Sequence, residues 1–246
     1  YYRSPWIRAM MNDPVLLSKF SRLAGEPVVP HMLLMDAPSV NFGVPGDTTI
    51  GSTVDPWHFD SVAYVGVVLV NDVESMVGGE LQVVKRPSKD EAVDLIEETL
   101  NRLPHEAIQS VNYQRAGRCV FIQGAEVVHR VTRVESSREP RLSLIMAFQP
   151  ARPFRPDKTV LDTWQRFDNT VGSANYEFFR LKAHSMGNAL LHLAATQEAT
   201  RDRGLLAEKL RAVIAELERE AALVNHETSD FIGFVNKTEL NLKAQA

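Results

Sequence analysis

Arg141-Leu142-Ser143-Leu144-Ile145-Met146-Ala147-Phe148 reads as a β-strand with two different faces. Residues two apart share a face. Leu142, Leu144, Met146 and Phe148 form an apolar side. Arg141, Ser143, Ile145 and Ala147 form the other, which looks into the fold. An arginine pointing inward is costly unless an anion meets it, and a carboxylate gripped by both arms of the guanidinium is the natural partner. That carboxylate belongs either to a structural Asp or Glu or to a bound ligand. Ile145 and Ala147, on the same face, line either a pocket or the core.

Working outward, similar segments recur between residues 31 and 150. His31–Asp36, Val62–Val70, Glu80–Lys85, Ile108–Tyr113 and Cys119–Gln123 are short and rich in Val, Ile, Leu and aromatics. Val44-Pro45-Gly46-Asp47, Gly78-Gly79, Ala116-Gly117 and Glu139-Pro140 separate them as turns. One helix interrupts the series near 88–103, capped by Ser88 and spaced through Ala92, Leu95, Ile96, Thr99 and Leu100 until Pro104. Residues 1–30 read as an N-terminal helix and loop, with Asp13-Pro14 as a helix start. Residues 151–246 read as a helical region. Its stripe of Leu206, Leu210, Val213, Ile214, Leu217 and Ala221 is either a packing face or a homodimer contact. The expected fold is α+β with a mainly β core, a double-stranded β-helix (jelly roll) with flanking N- and C-terminal helices, as one catalytic domain over 1–246.

Composition narrows the function. The 246 residues are 44% hydrophobic and 24% charged, with a formal net charge of -4. That balance argues against a general nucleic-acid or anionic-membrane binder. No apolar run approaches the roughly 18–20 residues of a membrane helix. The one cysteine, Cys119, allows no internal disulfide, which fits a reducing, cytoplasmic compartment. It is expected to be buried mid-strand and inert. The chain begins Tyr1-Tyr2 without Met, as a trimmed or processed chain does.

Trp57-His58-Phe59-Asp60 carries the next signal. On extended chain His58 and Asp60 aim an imidazole and a carboxylate at one point. His129 follows a turn, strand and turn over Ala116–Gly124. Two histidines and one carboxylate are the facial triad of non-haem iron(II) sites, which leaves coordination positions open for reactants. A structural zinc site would be closed by four ligands. The remaining histidines, His31, His105, His184, His192 and His226, read as structural or surface groups. Asn41-Phe42 and Arg152 to Arg155 flank the core, either as loop residues or as substrate contacts.

The ordered set His58-x-Asp60, then His129, then Arg141-x-Ser143 resembles the Fe(II)/2-oxoglutarate-dependent dioxygenase superfamily. Gly78-Gly79-Glu80-Leu81, Ala116-Gly117-Arg118 and His129-Arg130-Val131 add to the likeness, which covers about residues 48–149. The resemblance implies a catalytic metal set of His58, Asp60 and His129 holding Fe(II). It implies that Arg141 binds the distal carboxylate of 2-oxoglutarate, with Ser143 as helper. Tyr64, which shares parity with His58 and Asp60, is a further candidate for that cosubstrate pocket. It implies O2-dependent oxidation of a C–H bond in a small-molecule substrate, such as an amino acid or a natural-product intermediate. Halogenases of the superfamily carry a small residue in place of the carboxylate, so Asp60 favours oxygenation. Two other readings fit the same residues. One is a cupin-type metal enzyme that does not use 2-oxoglutarate; the other is a non-catalytic metal-binding jelly roll. Dependence on 2-oxoglutarate, metal content and succinate release separate them.

Overall fold

The computed structural model of the chain describes residues 4–32, 38–46, 53–152 and 173–225. Two short helices open it, α1 (Pro5–Met11) and α2 (Pro14–Ala24). Each begins on a polar side chain followed by proline. Ser4 accepts from the Ile7 amide, and Asp13 accepts from the Leu16 amide at 2.8 Å. The sequence predicts one helix here; the pause at Asn12-Asp13 makes it two. Gly25 then ends α2 with a left-handed φ of 73°.

The strands follow as β1 (Val28–Pro30), β2 (Ser39–Gly43), β3 (Asp55–His58), β4 (Tyr64–Leu69), β5 (Val77–Gly78) and β6 (Leu81–Val84). Helix α3 (Lys89–Glu98) comes next, then β7 (Ile108–Ser110), β8 (Cys119–Ile122), β9 (His129–Val131), β10 (Val134–Ser136) and β11 (Arg141–Pro150). Helices α4 (Ser173–Thr196) and α5 (Arg203–Asn225) complete the described chain. All the strand pairings are antiparallel. The long strand β11 organises one sheet. It pairs with β4 on one side, and with β2 and β1 in succession on the other, while β8 extends the sheet beyond β4. A second sheet has the order β3-β9-β6-β7, and β10 and β5 form a ribbon.

Antiparallel sheets with helices outside are therefore the observed architecture. The predicted strands at 62–70, 80–85, 108–113, 119–123 and 141–148 each contain a strand, trimmed or extended at the ends. Of the strand predicted at His31–Asp36, Leu33 to Asp36 lie outside the described residues; β1 ends just before it, at Pro30. Strands β2, β3, β5, β9 and β10 are too short or too polar to stand out; β2 and β9 form against the longer β11 and β6, β3 against β9, and β5 and β10 against each other. Helix α3 stops earlier than predicted, at Glu98, because Leu100 and Asn101 turn left-handed, with φ of 50° and 65°. The helical region predicted over 151–246 contains α4 and α5; residues 153–172 and 226–246 lie outside the described residues.

The register gives β11 its predicted faces. Ser143 pairs with Leu69, Ile145 with Val67 and Ala147 with Val65; Met146 pairs with Gly66 and Phe148 with Tyr64. Val65 and Val67 pack in one cluster with Leu81 and Val131 of the second sheet. The odd face of β11 therefore looks into the layer between the sheets, where Ile145 and Ala147 join the core. The even face lies under α2. Phe20 stacks on Phe121 at 4.4 Å and meets Phe148 edge-on at 5.0 Å. Cys119, expected to be buried, is exposed at the edge strand β8. Its thiol is pushed up to about 11 by partial burial, so little thiolate forms near neutral pH.

Phe20 is the main anchor of α2 on this sheet. Phe20→Ala is expected to lower unfolding stability by about 3–5 kcal/mol. Urea denaturation followed by circular dichroism measures it, and a loss below about 1 kcal/mol would show that α2 is not part of the core.

Candidate metal centre

Strand pairing brings the first two donors together. In the β3–β9 ladder His58 lies directly opposite His129, and their ring centroids are 4.3 Å apart. Trp57 points the other way, into a cluster with Ala92 and Ile96 of α3, where Arg130 covers its ring at 4.5 Å. That anchoring sets the direction of its neighbour His58. His129 shares a face with Val131. Since Val131 packs against Val65 and Val67, His129 looks into the intersheet layer.

Asp60 sits just past the end of β3. Its amide donates to the Gly124 carbonyl at 2.9 Å, which holds this segment against the turn after β8. The fit is tight. A Cβ on Gly124 would lie 2.6 Å from Asp60 Oδ2 and 2.9 Å from the Val62 carbonyl oxygen. Gly124 is thus a supporting residue that the sequence shows only as a turn.

The donor atoms converge. Asp60 Oδ1 is 3.6 Å from His58 Nε2, and Asp60 Oδ2 is 3.8 Å from His129 Nε2. Both distances exceed a hydrogen bond and suit an ion between the groups. Nδ1 of His58 faces the Pro56 carbonyl at 2.6 Å, and Nδ1 of His129 faces the Val127 carbonyl at 2.9 Å. Each carbonyl takes the ring proton on Nδ1, so both Nε2 lone pairs turn inward. Buried Asp60 Oδ2 has no hydrogen-bond partner among the described residues. These features fit a metal ion. Among the described residues this is the one His, Cys, Asp and Glu cluster with such spacing.

The electrostatics agree. Burial disfavours a charge on His58, but Asp55 and Asp60 outweigh it and raise its pKa to about 9. Asp55 Oδ1 is 3.5 Å from His58 Nδ1, and Asn41 donates to Asp55 at 3.3 Å. Burial also pushes Asp60 upward, yet His129 and His58 hold it below the usual carboxylate range. His129 is lowered by burial and by its neighbour His58. Without an ion, one proton is held beside Asp60, largely on His58.

Arg141 and Ser143, each only 1% exposed, lie on the inward face of β11. Arg141 Nη1 donates to Ser143 Oγ at 2.9 Å, and Nη2 donates to Tyr113 Oη at 2.8 Å. Among the described residues Arg141 Nε has no partner, and no carboxylate pairs with this guanidinium. Gly79 makes room for its stem, since a Cβ there would lie 3.1 Å from Arg141 Cδ. Tyr113 was not legible as a site residue, because only the fold brings it across to Arg141.

Tyr64 does not join the site. It pairs with Phe148, which puts it on the face of the sheet opposite Arg141. There it donates to Glu26 Oε1 at 2.7 Å and stacks on Phe121. Residues 61–63 leave extended geometry, so parity counted from Asp60 fails. His31 is buried by β11, with its amide on the Ala147 carbonyl. His105 lies in a 3-10 turn, and His184 and His192 lie on α4. His226 and Arg155 fall outside the described residues.

An antiparallel double-sheet protein with a His-Asp-His cluster is the class these observations define. The chain matches the family described as Halogenase D over residues 2–165, and it belongs to that family. A comparison with curated proteins finds no match. Solved structures with similarity include the non-haem alpha-ketoglutarate-dependent epimerase SnoN from nogalamycin biosynthesis, at 20% identity, TM-score 0.41, over 61% of this chain and 60% of that one. Another is the non-haem monooxygenase ThoJ in its nickel complex, at 13% identity, TM-score 0.41, over 63% and 57%. The matched region spans less than two thirds of either structure. No helix among the described residues is long and apolar enough to cross a membrane.

Two outcomes follow from the cluster. Gly124→Ala is expected to weaken divalent-metal binding about 10–100-fold by displacing Asp60, with the fold retained. Titration calorimetry with Mn(II) or Fe(II) reads this, and unchanged affinity would remove Gly124 from the site. Metal binding at pH 7.5 is expected to release a proton, because His58 is charged below about 9 and must be neutral to bind. Affinity therefore rises as pH approaches 9; calorimetry in buffers of different ionisation enthalpy counts the proton.

Proposed function

We propose that the chain is a non-haem iron(II) oxygenase that uses 2-oxoglutarate and O2 to oxidise a C–H bond of a small molecule. The observation that carries the reading is the buried Arg141 guanidinium, in the same intersheet layer as an open three-donor cluster. His58, Asp60 and His129 would hold iron(II), which supplies the O2 activation when bound. Three protein donors leave positions for cosubstrate and O2. A dication, one carboxylate and one guanidinium leave two positive charges, which a dicarboxylate anion neutralises. Arg141 and Ser143 would take one end of 2-oxoglutarate, with Tyr113 fixing the guanidinium plane. The apolar layer of Val65, Val67 and Leu81 excludes water around the reacting groups.

The family name points to halogenation, and Asp60 argues for oxygenation in this member. In the superfamily the chain resembles, halogenases have a small residue where Asp60 stands, which frees a position for chloride. Here the carboxylate occupies that place, on a backbone held by the bond from the Asp60 amide to the Gly124 carbonyl, and is flanked by both histidines. Its negative charge also repels a halide. An amino acid or a natural-product intermediate is the substrate class proposed.

Iron-loaded protein is expected to form succinate from 2-oxoglutarate at a rate independent of chloride. His129→Ala and Asp60→Ala are expected to abolish it. Arg141→Ala is expected to raise the 2-oxoglutarate requirement about tenfold or more, through loss of a charge-assisted contact. Mass spectrometry of succinate and product decides. No succinate, with or without candidate substrates, would refute 2-oxoglutarate use, and chloride-dependent chlorinated product would refute the role given to Asp60.

A further inference from the structure

Helices α4 and α5 turn back on each other through residues 197–202, and pack along a seam of Met186, Ala189, Leu193 and Val213. Phe178 and Leu181 of α4 are buried with the β core. The opposite side of the pair is apolar, and no described residue covers it. On α5, Leu206, Leu210, Ile214 and Leu217 are 37%, 55%, 53% and 41% exposed. Their spacing makes one stripe, of which Val213 alone is buried against α4. On α4, Tyr176, Phe179 and Leu190 are exposed on the side away from Phe178 and Leu181. Helical geometry places both stripes on the same side of the pair.

We propose that this face binds a second copy of the chain, the two helix pairs closing into an antiparallel four-helix bundle. Charge on α5 selects that occupant. Arg211 and Glu218 are seven residues apart, so they share one flank of the stripe, on either side of Ile214. In an antiparallel pair of identical helices, same-flank positions face each other. A two-fold axis beside Ile214 and Ala215 then sets Arg211 of each copy against Glu218 of the other. A two-fold interface must be complementary to itself, and this flank is. More broadly, Arg203, Lys209 and Arg211 weight the first half of α5 positive, and Glu216 and Glu218 weight the second half negative. Area agrees as well. Each helix of 24 or 23 residues is about 35 Å long, and two side by side are about 20 Å wide. That covers about 700 Å² per copy, close to the roughly 800 Å² per partner of a stable interface.

The test is the mass of the full chain in solution. Light scattering or sedimentation equilibrium at about 10 µM is expected to give twice the 27.5 kDa of one chain. Ile214→Asp is expected to give the single-chain mass, with circular dichroism and metal binding unchanged. R211E and E218R are each expected to weaken the dimer at least about tenfold, since each sets like charges face to face twice over. The double variant R211E/E218R is expected to restore it, because the swapped pair is again complementary. A single-chain mass up to about 100 µM would overturn the proposal, as would a dimer insensitive to Ile214→Asp. A monomeric full chain whose version ending at residue 225 dimerises would also overturn it, by showing that residues 226–246 cover the face.

Discussion

A full positive charge buried between two sheets constrains this molecule more than any other feature. Removing a guanidinium from water costs several kcal/mol unless its donors are answered. Ser143 answers one arm and Tyr113 another, while Gly79 keeps the surrounding walls small enough to admit the side chain. Neither partner is an anion. The protein holds the charge in a shape suited to a carboxylate and supplies none among the described residues. A fold under selection for stability alone would fill that position with an apolar side chain.

The His-Asp-His cluster is built on a similar principle. Its three groups are held too far apart to satisfy one another and too close to ignore one another. The result is an opposed pair of shifts, His58 upward and His129 downward, around a carboxylate held low. Backbone carbonyls behind both rings and Gly124 beside Asp60 keep the geometry in place before any ion arrives, which limits the reorganisation that binding requires.

Local rules that act over a few residues hold in the structure. Capping showed where α2 and α3 begin, and alternation showed which face of β11 looks inward. The order of His58, Asp60, His129 and Arg141 suggested one site, and the fold draws the three donors together. A local rule carried across a break in the strand does not hold. Parity counted from Asp60 to Tyr64 runs through residues that are not extended, and Tyr64 lies on the other face. Cys119 was placed by its strand, but the strand is an edge. The α5 stripe was legible as apolar, yet only packing shows that α4 covers little of it.

By itself, then, the sequence determined the residue types of the candidate site, their order, and the faces of the long strand, because each depends on covalent neighbours and a fixed period. Tertiary structure decided which distant groups meet: Tyr113 on Arg141, Gly124 against Asp60, and His58 opposite His129. Those meetings depend on strand register and turn geometry. Register is a cooperative property of whole sheets, in which β11 is held on both sides at once, and no short stretch of chain carries it.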